Sequence, residues 1–215
     1  MLEVESHKIM DMDEEKRNRV INAAMKEFSK GFKHASTDEI VKEAGISKGL
    51  LFHYFGSKEK LYEFILLDTI DIMKNNYFDL INFELTDILD RIWQMSLLKM
   101  DLSQKYPLLF DFAAAAYMNE QENPGGKFNE MYKEIQASVA MNAFKNIDTS
   151  IFKDDIEPQK IINIIWWTLM GYANAQVDRT KSISSYKSEY ERYLSEMEEY
   201  FNIFRKIFYK EEYIK

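Results

Sequence analysis

Lys48, His53, Tyr54 and Lys58 lie within one eleven-residue stretch, and each carries a donor that suits an anionic oxygen. The Lys48 ammonium offers charge and a hydrogen bond to guanine or to a phosphate. Gly49 beside it lets the backbone come close, and His53 and Tyr54 are placed to reach phosphates. Lys58 stands where a new helix begins, and the free N–H groups of a helix start also hold a phosphate. This is chemistry of recognition rather than of bond-making. The chain has no Cys, and its three His (His7, His34, His53) all fall in the first 60 residues. It has no H-E-x-x-H, phosphate-loop, dinucleotide or G-x-S-x-G pattern. The back of the chain therefore lacks the usual nucleophiles and bases, and neither an enzyme nor a metal or cofactor site is expected.

Four helices must position these donors. Asp13 to Gly31 reads as one amphipathic helix, with Val20, Ala24 and Phe28 on a single stripe and acids at its start. Ser36-Thr37-Asp38-Glu39 has the form of a capping box and opens a short second helix, with Ile40, Val41 and Ala44 inward and Gly45 as its stop. Ser47 caps a third helix, Lys48 to Phe55, which Gly56 ends, and Ser57 caps a fourth that runs past Leu67. The second and third helices, joined by Gly45-Ile46-Ser47, form a helix-turn-helix in which Ile46 plugs the angle. The second helix of such a pair lies in the DNA major groove with its N-terminal residues on base edges. A Gly-centred turn of this kind occurs in many helical proteins, so the turn alone leaves a protein-interaction module open. Ile40, Leu51 and Phe55 read as core, and Lys30, Lys33 and Lys42 as solvated cations.

The chain of 215 residues carries a formal net charge of −8, which taken whole speaks against a nucleic-acid partner. Its distribution says otherwise. Residues 16–60 hold ten basic and five acidic side chains, a net of +5, while residues 1–15 are strongly acidic. Most aromatic residues lie after residue 60, so the chain divides into a basic front and an acidic, aromatic-rich back. Seven Gly and three Pro are few for this length, and no period-2 alternation is sustained, so the expected fold is all-α. Further helices are predicted over Asp87–Ser103, Pro107–Tyr117, Gly126–Phe144, Pro158–Arg179 and Ser184–Tyr209, with a loop at Asn123-Pro124-Gly125-Gly126. The polar start is no signal peptide, and the most apolar stretch, Ile161 to Val177, is too short and too interrupted to span a bilayer. A cytoplasmic location and no membrane partner are expected.

The string from Thr37 to Leu61, TDEIVKEAGISKGLLFHYFGSKEKL, closely resembles the N-terminal signature of the TetR family of transcriptional regulators. The preceding helix, with Ala23, Ala24, Phe28 and Gly31, matches that family's first helix, so the resemblance covers about residues 14–65. It implies a three-helix DNA-binding head over residues 1–60 and a larger helical domain over 61–215 that binds a small effector and dimerises through its last two long helices. By position, Thr37, His53, Tyr54 and Lys58 look like phosphate contacts, and Lys48 and Gly49 like major-groove contacts. Two positions depart from the common pattern. Leu50 stands where Thr is frequent, which replaces a hydrogen bond by apolar contact with a thymine methyl. Phe52 stands where Tyr is frequent and has no hydroxyl to offer a phosphate. The implied function is that of a ligand-responsive repressor, a homodimer that leaves a palindromic operator in double-stranded DNA when a small-molecule effector binds.

The back of the chain is dense in aromatic and Met residues. Trp93, Phe110, Asp111, Tyr117, Trp166, Trp167 and Met170 are the candidate effector pocket, though most such residues in helical domains are ordinary core. Asp111 would recognise a cationic ligand if it faced a cavity. Ile161, Ile165, Gly171 and Tyr172 on one helix and Tyr193, Met197, Phe201 and Phe204 on the next are the candidate dimer surface, the alternative being that they pack within the chain.

Overall fold

The computed structural model describes residues 12–118, 127–177 and 186–214. The acidic residues before Met12, the Asn123–Gly126 loop and the predicted helix ends at Arg179 and Ser184 lie outside the described residues. The fold is all-α. Among the described residues the long elements are α1 (Glu14–Phe28), α2 (Thr37–Ala44), α3 (Lys48–Phe55), α4 (Lys58–Asn76), α5 (Ile88–Lys105), α6 (Leu109–Met118), α7 (Lys127–Ala143), α8 (Pro158–Val177) and α9 (Tyr186–Phe208). An isolated bridge between Phe152 and Tyr209 is the sole extended pairing among them. No helix among the described residues is long and apolar enough to cross a membrane.

Local chemistry sets the first four helices. The Asp13 carboxylate accepts from the Lys16 N–H, and the hydroxyls of Ser36, Ser47 and Ser57 accept from the N–H groups of Glu39, Leu50 and Lys60 at 3.1–3.3 Å. Each satisfies one of the donors a helix start leaves unpaired. Gly45 closes α2 in the left-handed conformation, φ +66°, and the Ile46 N–H then returns to the Val41 carbonyl at 3.0 Å. A Cβ at Gly45 would meet nothing within 4 Å, so the backbone angle, not space, calls for glycine there. Pro107 does not open α6 as predicted. It sits in a turn whose Leu109 N–H bonds the Tyr106 carbonyl, and the helix starts at Leu109.

The chain forms two compact units. The first takes in the chain up to Leu80 together with Asp101–Val139. Its core joins Val20, Ala24 and Phe28 of α1 to Ile40, Leu51, Phe55, Leu61, Ile65 and Phe112. Phe28 packs edge-on against Tyr62 at 4.8 Å, and Tyr62 packs against Phe112 at 5.9 Å. The second unit takes in Ile81–Met100 and Ala140–Lys215. Its core joins Ile88 and Leu89 to Phe152, Ile161, Ile165, Met197, Phe201, Phe204 and Tyr209. Arg91 is buried in the same unit, 1 % exposed. The guanidinium donates to the carbonyls of Phe83, Leu85, Asn142, Ala143 and Lys145, so it closes the C-terminal end of α7 onto the segment before α5. The Tyr209 hydroxyl donates to Asp87 at 2.7 Å, and the same carboxylate oxygen accepts from the Leu89 N–H at the start of α5.

Candidate nucleic-acid interface

The helix-turn-helix is held from behind by α1. Arg19 Nε donates to the Ala44 carbonyl at 3.1 Å and so caps the C-terminal end of α2. Lys26 Nζ donates to both oxygens of Glu43, at 2.8 and 2.9 Å. Glu27 is buried, and its Oε2 accepts from the Ser36 N–H at 3.1 Å while Oε1 pairs with Lys30. Burial pushes this carboxyl up, but the Lys30 and Ser36 hydrogen bonds and the Lys30 and Lys26 charges outweigh it and hold it below its ordinary value. Three polar ties thus run from α1 to both ends of α2. None of Arg19, Glu27 or Glu43 stood out in the sequence, because each reads there as one more charge on an amphipathic face.

On this frame α3 is sorted by face. Leu51 and Phe55 are buried in the core, whereas Lys48, Gly49 and His53 are exposed and Leu50 and Tyr54 are half-buried. The His53 ring meets Tyr54 edge-on at 5.2 Å. Thr37 is half-buried in the first turn of α2. Lys58 opens α4 with its ammonium 4.7 Å above the Phe32 ring, which fixes the charge without neutralising it. Lys48 is not a free cation: its Nζ donates to Asp38 Oδ1 at 2.8 Å, across from α3 to α2. All seven residues read as DNA contacts lie on α2, α3 and the start of α4. Lys30 and Lys42 are exposed, paired with Glu27 and Glu39 respectively.

The candidate pocket residues are divided. Phe110, Asp111 and Tyr117 belong to the first unit, with Asp111 exposed and Tyr117 40 % exposed. Trp93, Trp166, Trp167 and Met170 belong to the second. Trp93 packs on Phe201 and Trp166 on Phe144, while Trp167 is exposed. Thr69, which the sequence did not single out, is fully buried in the first unit, and its hydroxyl has no hydrogen-bond partner among the described residues. The candidate dimer residues Ile161, Ile165, Met197, Phe201 and Phe204 are buried in the chain's own core, and Tyr172 and Tyr193 stack on each other at 5.2 Å. Among the described residues, the large apolar side chains that α8 and α9 expose are Ile164, Trp167, Met170, Ile203 and Ile207.

Comparison with known proteins agrees with this geometry. Residues 20–65 match the family model of bacterial regulatory proteins, tetR family. The HTH-type transcriptional regulator UidR of Escherichia coli K12 is 48 % identical over 52 residues, which is 24 % of this chain and 26 % of UidR. The match thus spans about a quarter of that relative's length. The nucleoid occlusion factor SlmA of Sodalis glossinidius is 26 % identical over 121 residues, 54 % of this chain and 59 % of SlmA. A TetR family transcriptional regulator from Chloroflexus aurantiacus shares the fold with a TM-score of 0.64 at 16 % identity, over 95 % of this chain and 98 % of that one. Residues 20–65, the helices that carry Lys48, His53 and Lys58, thus match the N-terminal domain of the tetR family of bacterial regulatory proteins, and the rest of the chain shares that family's all-α fold.

Proposed function

We propose that this regulator is a homodimeric repressor that binds a palindromic operator through α3 and releases it when a small-molecule effector binds. The observation that carries the reading is the sorting of α3. Its inward face is consumed by Leu51 and Phe55, and its outward face presents Lys48, Gly49 and His53. Lys48 and Gly49 take base edges, Leu50 a thymine methyl, and Thr37, His53, Tyr54 and Lys58 take phosphates. In a dimer two such helices lie about 34–36 Å apart, one turn of DNA.

A second copy meets the exposed apolar face of α8 and α9. Ile164, Trp167 and Gly171 recur at helical spacing on α8, and Ile203 and Ile207 on α9. A Cβ at Gly171 would meet nothing within 4 Å, which leaves room for a partner helix to come close. The buried Thr69 hydroxyl supports an effector site in the first unit, because an unpaired buried hydroxyl is costly and a ligand atom would satisfy it.

Mobility shift against upstream and scrambled DNA tests the reading. Lys48→Ala should abolish sequence preference, and Lys58→Ala should weaken binding to all DNA alike. Absence of binding at low salt would favour a protein-interaction role instead.

A further inference from the structure

The Lys48–Asp38 ion pair joins the first residue of α3 to the second residue of α2, at 2.8 Å. Both side chains are well exposed, at 51 % and 71 %, so the pair adds little to folding. Its meaning lies in what Lys48 meets next. A bare ammonium at the start of a recognition helix attracts any phosphate, and each phosphate so neutralised adds affinity without adding sequence information. With a carboxylate against it, the ammonium presents a dipole rather than a full charge.

We propose that Asp38 is a specificity-determining residue of DNA recognition. It masks Lys48 from the phosphates of random DNA, and it enters the groove with Lys48 as a donor–acceptor unit. Lys48 then requires an acceptor such as guanine O6 or N7. Asp38 is repelled by those same atoms and by phosphates, and it accepts only from an amino group, cytosine N4 or adenine N6. Base-edge acceptors and donors lie side by side across a base pair, hydrogen-bonded at about 2.9 Å, which matches the spacing of the protein pair. The masking charge is thus discharged at a site with the right neighbours and stays costly elsewhere.

The inference rests on DNA binding by α3, and one experiment separates the two. The full chain selects its preferred duplex from a random pool. Wild type, Asp38→Asn and Glu39→Gln are then titrated with the selected and a scrambled duplex over a salt series. Asp38→Asn should bind the scrambled duplex about tenfold tighter near 0.1 M salt, with a log–log salt slope steeper by ~0.9 per head engaged. The ratio of selected to scrambled affinity should fall by a similar factor. Glu39→Gln makes the same charge change one residue along, at an exposed carboxylate paired with Lys42, and should leave the ratio unchanged. Lys48→Gln added to Asp38→Asn should remove the gain on scrambled DNA. The proposal is overturned if Asp38→Asn and Glu39→Gln behave alike, if the ratio survives Asp38→Asn, or if the gain persists without Lys48. A wild-type chain that selects no sequence would overturn the DNA-binding reading, and this inference with it.

Discussion

The helix-turn-helix and the Arg91 centre solve the same problem, helix ends with unpaired polar groups, in opposite ways. In and just after the helix-turn-helix each helix start is capped from within, by a serine three residues before the N–H it serves. In the second unit one buried guanidinium collects carbonyls from residues 83, 85, 142, 143 and 145. The first solution is modular, since losing one cap costs one helix start. The second is concentrated, since losing one side chain takes a donor from five buried or part-buried carbonyls at once. The DNA contact proposed for α3 needs a head that holds its shape, and the first kind suits it, with α1 as an outer brace.

The largest blow to this contrast is Arg91→Leu. It should destabilise the second unit by about 3 kcal/mol, because the buried Ala143 carbonyl and the part-buried carbonyls around it lose a charged donor together. Hydrogen exchange should show protection lost in α8 and α9 while α2 and α3 keep theirs. Equal loss in both places would break the distinction.

Glu27→Ala tests the brace and should cost about 2 kcal/mol, through the charged hydrogen bonds to Ser36 and Lys30. Its pH dependence has a defined sign. The Glu27 carboxyl is held below its ordinary value of 4.5 in the fold. Its contribution is therefore fully present above the unfolded value and is lost as pH falls through the folded one. Stability followed by circular dichroism should therefore fall more steeply with pH below about 4.5 in wild type than in Glu27→Ala, and the gap between the two should narrow as the pH falls.

The smallest effect sharpens the role of local chemistry. Gly45→Ala meets no neighbour, yet the left-handed backbone should cost about 1 kcal/mol. A thermal shift of a few degrees checks it. An unchanged melting temperature would mean that the turn relaxes.

Much of the head was legible in the residues. Ser36, Ser47 and Ser57 mark helix starts, and Gly45 and Gly56 mark stops, because each acts on backbone groups within a few positions. Exposure of Lys48 and burial of Leu51 follow from helical spacing alone. Asp38 as the partner of Lys48 was not legible, since ten residues separate them and the turn angle brings them together. Ile161 and Met197 read equally well as dimer surface and as core, because an apolar stripe says that a face is covered, not by what. Their burial against one another within the chain sends the exposed Trp167 and Ile203 to the surface instead.

Arg91 marks the boundary between the two kinds of knowledge. On the page it is one cation among 28 basic residues. Helices, caps, the glycine turn and the basic front depend on interactions a few residues long, so composition and spacing suffice to reveal them. Which carbonyls Arg91 gathers, which apolar face stays open and which carboxylate restrains Lys48 depend on where distant segments meet, and tertiary packing alone decides that.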